Sequence, residues 1–213
     1  MGRFCLSYLG ALVFTVLAGL AQAQEVWISE DLPYLDFEVN GEFYLIERGN
    51  DNSEFIAKVF PPKERLCPPH CLQPVVPAEG VTPVGEAELV NFIEDFVIPG
   101  EGFLIDARVE SWNKSGTIPG SVNLPFNMFA PSDLNPFIDQ LLALFGGVLQ
   151  TDGTWDFTNA KPLLLFCNGA DCGQSPRAIR NLLLDGYPPE KLFYYRGGMQ
   201  DWVRYGFTIH FPE

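Results

Sequence analysis

Basic residues are scarce in this chain of 213 residues, which has 13 lysines and arginines against 27 aspartates and glutamates. The resulting net charge of −14 repels phosphate backbones and therefore argues against nucleic acid as a partner. Histidine occurs only twice. His70 lies between Cys67 and Cys71 but lacks the second pair of ligands that structural zinc sites have, and His210 is isolated near the end. We expect no metal and no cofactor.

Long apolar segments are absent after the first 23 residues. The apolar run Leu9–Leu20 follows Arg3 and precedes Ala21-Gln22-Ala23, which is the pattern of a secretory signal peptide with its cleavage site. This run is too short for a comfortable transmembrane helix, and no later segment approaches the required length. We expect residues 1–23 to be removed near Ala23. The mature chain would then have no membrane span and would be exported, to a periplasm in a Gram-negative source.

Cysteine is also infrequent, with five in the chain. Cys5 lies in the expected leader, so the mature chain would keep Cys67, Cys71, Cys167 and Cys172. An even number of cysteines in an oxidising compartment allows two disulfides, or one disulfide and a reactive pair. For the Pro-rich segment with Cys67 and Cys71, a local disulfide competes with a redox pair that exchanges with the other two thiols.

Residues 24–80 have the pattern of a small antiparallel β meander followed by a Pro- and Cys-rich linker. Leu35–Val39 alternates apolar and acidic residues, Asn40-Gly41 is typical of a two-residue hairpin turn, and Glu42–Glu47 resumes the alternation. A third strand is predicted at Glu54–Phe60. Such a meander is too small to fold alone, so we interpret it as a brace on the main domain, with a partner-docking surface as the alternative.

From residue 81 to residue 213 the pattern changes to alternating strands and helices. This alternation predicts an α/β fold with a parallel sheet covered by helices on both faces, and active sites of such sheets lie at the carboxyl ends of the strands. An inserted hairpin is predicted at Gly146–Phe157. The expected strands are Gly102–Asp106, Leu163–Phe166 and Lys191–Tyr195, with a short strand within Ile118–Pro125 and a last one at Phe207–Ile209. The expected helices are Val84–Phe96, Asp133–Phe145, Pro176–Leu184 and Gly197–Tyr205.

The stretch Pro162–Ala178 contains the best candidate for chemistry. Its buried strand ends at Cys167, a glycine-containing loop follows, and Ser175-Pro176 are expected to cap and begin a helix. The helix N-terminus and the loop N–H groups favour an anion, so this arrangement stabilises a thiolate. The alternative is a buried cysteine with a structural role only.

Four ordered motifs resemble those of rhodanese domains. They are Leu104–Arg108, Gly116–Pro125, Leu165–Cys167 with its loop, and Tyr195–Trp202. The resemblance extends over roughly Val81–Ile209 and leaves out the N-terminal part.

The resemblance implies a sulfurtransferase that carries sulfane sulfur as a persulfide on Cys167. Its partners would be a sulfur donor and a thiol acceptor, each a small molecule or a protein. In this family the pair that matches Asp106 and Arg108 steadies the loop and the neighbouring strands. The resemblance assigns the active-site loop to Asn168, Gly169, Ala170, Asp171, Cys172, Gly173, Gln174 and Ser175.

The loop departs from the family pattern in charge and length. It is longer than the usual six-residue loop and contains no basic residue, while Asp171 adds a negative charge. Thiosulfate is a dianion, so we expect it to bind poorly, with Arg177 as the only nearby cation. Phosphatases and arsenate reductases of this fold need an arginine where this chain has Ser175, which makes those activities less favoured.

The second loop cysteine, Cys172, is not part of the family pattern. A thiol at this position can resolve a persulfide or close a disulfide with Cys167. Three functions therefore stay open on the sequence. They are a sulfurtransferase, a thiol–disulfide redox protein that uses Cys167 and Cys172 (with or without Cys67 and Cys71), and a catalytically silent binding module.

Overall fold

The structure is a computed structural model that describes residues 26–61, 71–130 and 135–213. In these residues, the strands are β1 (Leu35–Val39), β2 (Glu42–Ile46), β3 (Thr82–Val84), β4 (Phe103–Asp106), β5 (Val122–Asn123), β6 (Val148–Leu149), β7 (Trp155–Asp156), β8 (Leu163–Phe166) and β9 (Leu192–Tyr195). The α-helices are α1 (Ser53–Val59), α2 (Glu86–Phe92), α3 (Glu110–Lys114), α4 (Ile138–Leu144), α5 (Gln174–Leu184) and α6 (Gly198–Arg204). A π-helical turn, Ile93–Val97, continues α2, and 3-10 turns cover Phe126–Phe129 and Pro189–Lys191.

Five parallel strands form the central sheet in the order β3-β9-β8-β4-β5. All four residues of β8 are buried because helices cover both faces of the sheet. Leu163 and Leu165 pack into the core on the α4 and α5 face, whereas Leu164 and Phe166 pack on the α2 and α6 face. The strand that precedes Cys167 is therefore the middle of the sheet, and the predicted α/β architecture is confirmed.

The N-terminal part contains a two-stranded antiparallel hairpin, as predicted, but the prediction of a third strand is wrong. β1 pairs with β2 around Asn40 and Gly41, which both have positive φ. The segment predicted as the strand Glu54–Phe60 is α1 instead. Asp51 accepts a hydrogen bond from the Ser53 N–H at 3.0 Å as the helix begins. Phe55 and Ile56 then pack side by side on the core, which a strand would prevent.

Hydrogen bonds attach this N-terminal part to the end of α6. The Asn52 side-chain amide donates to the carbonyl of Val203 at 3.1 Å and to that of Phe207 at 3.0 Å. The Asn50 N–H donates to Gly206, and the Thr208 N–H donates to Glu47, each at 3.1 Å. The hairpin and α1 therefore extend the core of the sheet domain.

Several boundaries differ from the sequence prediction. The edge strand β3 was not predicted from the sequence, because Pro83 lies within it. Val84 belongs to this strand, so the helix that was predicted from Val84 begins at Glu86. The predicted last strand at Phe207–Ile209 is replaced by a single bridge between Thr117 and His210. The inserted hairpin is confirmed as β6 and β7. The first residues of the helix predicted at Asp133–Phe145 lie outside the described residues.

Across the described ranges, none of the helices is both long and apolar enough to cross a membrane.

Candidate active site

The loop after β8 lies on the amino end of α6. The N–H of Met199 donates to the Cys167 carbonyl at 3.0 Å, and the N–H of Gln200 donates to the Asn168 carbonyl at 2.9 Å. Gly198 has a φ of 56°, and a Cβ there would lie 2.7 Å from the Gly169 nitrogen. A glycine is therefore required for α6 to approach the loop this closely.

The end of the loop differs from the prediction that Ser175 caps α5. The helix begins at Gln174, with Gly173 at the N-cap position. Ser175 is thus inside the first turn and completely buried, with its hydroxyl near the Cys167 sulfur. The helix begins two residues earlier than the Ser-Pro signal indicates. The Ser175 hydroxyl is therefore directed to Cys167 instead of capping the helix.

The Cys167 thiol has a pKa lowered from 9.0 to about 7. Burial raises this pKa, since only 1% of the residue is exposed, but several donors oppose burial and prevail. They are the Cys172 thiol, the hydroxyl and backbone N–H of Ser175, and the backbone N–H of Gly169. Cys167 therefore ionises more readily than an ordinary cysteine, and its thiolate is held in a buried cradle of N–H, O–H and S–H groups.

Cys172 is the partly exposed neighbour of this thiolate. In its protonated form Cys167 donates a hydrogen bond from Sγ to the Cys172 carbonyl oxygen at 3.2 Å, and as a thiolate it accepts one from the Cys172 thiol. This hydrogen bond, burial and the charge of Cys167 raise the pKa of Cys172. A turn closed by the hydrogen bond from the Cys172 N–H to the Gly169 carbonyl, at 2.9 Å, holds the two sulfurs together. When Cys167 is ionised, Cys172 therefore stays protonated.

Two buried polar atoms beside the loop, Gln174 Oε1 and Tyr194 Oη, have no hydrogen-bond partner within the described part of the chain. Burial and the charges of Cys167 and Cys172 raise the pKa of Tyr194, so its phenol remains a donor. Tyr194 was missed on the sequence because it lies on a different strand, β9, where it pairs with Leu165. These atoms can hydrogen-bond an additional group on the sulfur.

Asp106 and Arg108 form a buried ion pair at the carboxyl end of β4. Arg108 donates from Nε to Asp106 Oδ1 at 2.8 Å and from an Nη to Oδ2 at 2.6 Å. Its other Nη donates to Asn168 Oδ1 at 3.2 Å, which links the pair to the loop. Asn113 and Thr117 also donate to the Asp106 carboxylate.

The cations around the loop are more numerous than the sequence indicated. Arg177 stacks over the Phe126 ring at 5.3 Å. Arg196 donates to the Gln73 carbonyl at 2.7 Å and is close enough to lower the pKa of Tyr194, and Arg204 lines the cavity beside the loop. The expectation that Arg177 alone is near the site is wrong, because β9 and α6 bring the other two arginines to the same end of the sheet.

The end of the linker lies directly on the loop. The Gln73 N–H donates to the Ala170 carbonyl at 2.8 Å, and the Gln73 side chain donates to the Cys71 carbonyl at 3.0 Å. Cys71 is disulfide-bonded, whereas Cys167 and Cys172 are free. Cys67, its predicted partner, lies outside the described residues, so that pairing stays a prediction.

A cavity of about 1240 Å³ opens in front of the loop. Its far wall is α1, the helix that the sequence prediction missed, with Ile56 and Ala57 facing the space. Of the two loop thiols, Cys172 lines the cavity and Cys167 does not. The described lining is mainly apolar, with Leu72, Trp112 and Phe60 beside the loop residues Asn168, Ala170, Asp171, Gly173 and Gln174. Within the described residues, no group of three His, Cys, Asp or Glu side chains is placed to hold a metal.

The family model of the rhodanese-like domain matches residues 87–205, more than half of the chain. The chain therefore belongs to the rhodanese-like domain family. None of the curated proteins compared with it is significantly similar.

Similar solved structures share the fold at low sequence identity. The human single-domain sulfurtransferase is 20% identical over 57% of this chain and 94% of its own, with a TM-score of 0.35. The As-Sb reductase from Leishmania major is 18% identical over 59% of this chain and 79% of its own, with a TM-score of 0.40. A possible tyrosine phosphatase from Rhodopseudomonas palustris is 18% identical over 61% and 85%, with a TM-score of 0.42. The function of this chain has to be argued from its own site.

Proposed function

We propose that this protein is a sulfurtransferase that carries sulfane sulfur as a persulfide on Cys167. The observation that supports this best is the set of loop donors around that buried thiol, which lowers its pKa to about 7. A thiolate is the form that attacks a sulfur donor. The same donors suit the anionic outer sulfur of the product, as does the unpartnered hydroxyl of Tyr194.

The proposed transfer has two balanced steps. The Cys167 thiolate attacks the outer sulfur of a persulfide R–S–SH, the S–S bond breaks, and RS⁻ leaves, so that Cys167 becomes a persulfide. An acceptor thiolate then attacks this outer sulfur, takes it, and releases the Cys167 thiolate. No net oxidation occurs, and the site needs no cofactor for either step.

The surroundings of the loop favour an organic donor over thiosulfate. The described lining of the cavity is mainly apolar, and the negative charge of Asp171 offsets the positive charge of Arg204 there. A small dianion loses its hydration there with little compensation, whereas a persulfide with an apolar body buries that body against α1. We further propose that the protein acts in the periplasm, on the basis of the leader pattern that ends at Ala23.

Single-turnover transfer tests this function. The reduced protein is mixed with cysteine persulfide or with thiosulfate in the presence of an excess of thiol acceptor, so that transfer competes with any reaction inside the loop, and the acceptor persulfide is trapped with an alkylating agent. We expect transfer from the persulfide, much less from thiosulfate, and none in Cys167→Ser. Equal transfer by Cys167→Ser and the unmodified protein would refute the proposal.

A further inference from the structure

Cys172 is the feature of the site that sulfur transfer on Cys167 does not require. The transfer uses one thiol, yet the loop holds a second free thiol hydrogen-bonded to the first. The loop turn brings the Cys172 backbone so close that its carbonyl oxygen is 3.2 Å from the Cys167 Sγ. A sulfur in this place is within reach of the inner sulfur of a Cys167 persulfide.

We propose that Cys172 is a resolving thiol, which gives the protein a second activity: the release of sulfane sulfur as hydrogen sulfide. The Cys172 sulfur attacks the Sγ of the Cys167 persulfide, and a Cys167–Cys172 disulfide forms as the bond to the outer sulfur breaks. The outer sulfur, which is anionic in the persulfide, takes the proton of Cys172 and leaves as hydrosulfide, HS⁻. The sulfane sulfur is reduced by two electrons, and the two thiols supply them. This inference rests on the proposed persulfide on Cys167.

The hydrogen bonding of the pair suits this step. Cys172 keeps its proton while Cys167 is a thiolate, because the hydrogen bond between them favours the protonated form of Cys172. As Cys172 attacks, it passes this proton to the anionic outer sulfur, so that the attacking sulfur gains thiolate character while the leaving sulfur departs as HS⁻. The loop is short and already turned, with the Cys172 N–H bonded to the Gly169 carbonyl at 2.9 Å. It therefore needs little rearrangement to close the disulfide.

The cavity indicates where the disulfide is opened again. Cys172 lines the cavity, whereas Cys167 is 1% exposed and lies behind it. An external dithiol, the class of reductant that the cycle requires, would enter the cavity and attack the Cys172 sulfur. Cys167 then leaves as a thiolate, which its low pKa favours. The second thiol of the reductant attacks the mixed disulfide, releases Cys172 as a thiol, and leaves the reductant as a disulfide.

Mass analysis of the loaded protein tests the resolving step. The reduced full chain, Cys172→Ser and Cys172→Ala are each incubated with one equivalent of cysteine persulfide and freed of excess reagent. Intact mass, peptide mapping and released sulfide are then measured. We expect the unmodified protein to lose two hydrogens at Cys167 and Cys172 and to release one sulfide per chain. The Cys172 variants should keep one added sulfur on Cys167 and release sulfide at least about tenfold more slowly.

Each outcome of this experiment has one meaning. Stable persulfide on Cys167 in the unmodified protein, with no more sulfide than in the Cys172 variants, overturns the resolving role and leaves the sulfurtransferase intact. Failure of both the unmodified protein and the Cys172 variants to gain sulfur or a new disulfide overturns the proposed function itself. Unfolding midpoints of the variants show whether Cys172 is needed for packing. Two variants are used so that the misfolding of one of them does not decide the result.

Discussion

The ionisation of Cys167 is set by groups from two segments of the chain, the loop and the first turn of α5. The loop provides the Gly169 N–H and the Cys172 thiol, and the first turn of α5 provides Ser175. Burial alone would raise the pKa of this thiol, so the balance depends on hydrogen bonds that single substitutions remove. The reactivity of the site is therefore a property of a few named donors.

We expect the thiolate of Cys167 to titrate with a midpoint near pH 7. Since the pKa is lowered, thiolate accumulates above this pH, and reactivity falls as the pH drops through it. Replacing Cys172 with alanine removes a donor, so the midpoint should rise toward the ordinary value of 9.0. Ultraviolet thiolate absorbance as a function of pH measures both, with Cys167→Ser as the blank. A midpoint that is the same with and without Cys172 would contradict the role of that hydrogen bond.

The buried pair of Asp106 and Arg108 should be costly to break. Both side chains are fully inaccessible, so Asp106→Asn leaves an uncompensated guanidinium, and we expect a loss of about 3–5 kcal/mol in the free energy of unfolding. The matched control is the exposed pair of Glu110 and Lys114, where Glu110→Gln should leave stability unchanged. Denaturant unfolding of both variants decides the matter. Equal, small effects would mean that the Asp106 pair contributes no more than a surface pair.

At the scale of secondary structure, the amino end of α6 positions the loop. A Cβ at Gly198 would overlap the Cys167 carbonyl oxygen and lie 2.7 Å from the Gly169 nitrogen. Gly198→Ala should therefore push the loop away, raise the pKa of Cys167 and slow sulfur loading. The control is Gly153→Ala, because Gly153 also has a positive φ, of 86°, but nothing lies within 4 Å of its Cβ position.

Both glycine variants should lose about 1–2 kcal/mol from backbone strain alone. Only Gly198→Ala should change the chemistry, and alkylation of Cys167 as a function of pH measures the difference. Identical profiles for the two variants would show that the contact between α6 and the loop is unimportant.

The parts of the fold that depend on local sequence were predictable. β8 was predicted with its observed bounds, since four apolar residues followed by a glycine-containing loop admit few alternatives. α1 was not, because the residues from Phe55 to Val59 satisfy a strand pattern as well as a helical one. Only contact with the core and with α6 decides between them.

The same distinction applies to the site. Cys167, its loop and the Asp106–Arg108 pair follow from motifs within short segments. Tyr194 and Arg196 reach the loop only because β9 lies next to β8, and Gln73 does so because the linker folds back onto Ala170. Strand order and the path of a linker are set by the whole chain, so no local pattern indicated these residues.

At the scale of the whole molecule, the N-terminal part forms one wall of the cavity in front of the loop. Ala57 is exposed and lines the cavity, whereas its neighbour Lys58 is exposed and is not among the lining residues. Ala57→Trp should narrow the approach to Cys172 and lower kcat/KM for persulfide transfer by about tenfold. Lys58→Trp introduces the same side chain outside the cavity and should have no effect. Steady-state transfer rates compare the two, and equal rates would exclude the cavity as the route of entry.

The central claim is that Cys167 carries sulfane sulfur. Its most direct test uses Cys172→Ser, in which the persulfide cannot be resolved within the loop. This variant and the double variant Cys167→Ser, Cys172→Ser are incubated with cysteine persulfide, alkylated and digested, and the peptide that contains residue 167 is examined by mass spectrometry. We expect the mass of one additional sulfur on Cys167 in the single variant and an unmodified peptide in the double variant. A single variant whose Cys167 peptide gains no sulfur, with the fold intact, would contradict the account.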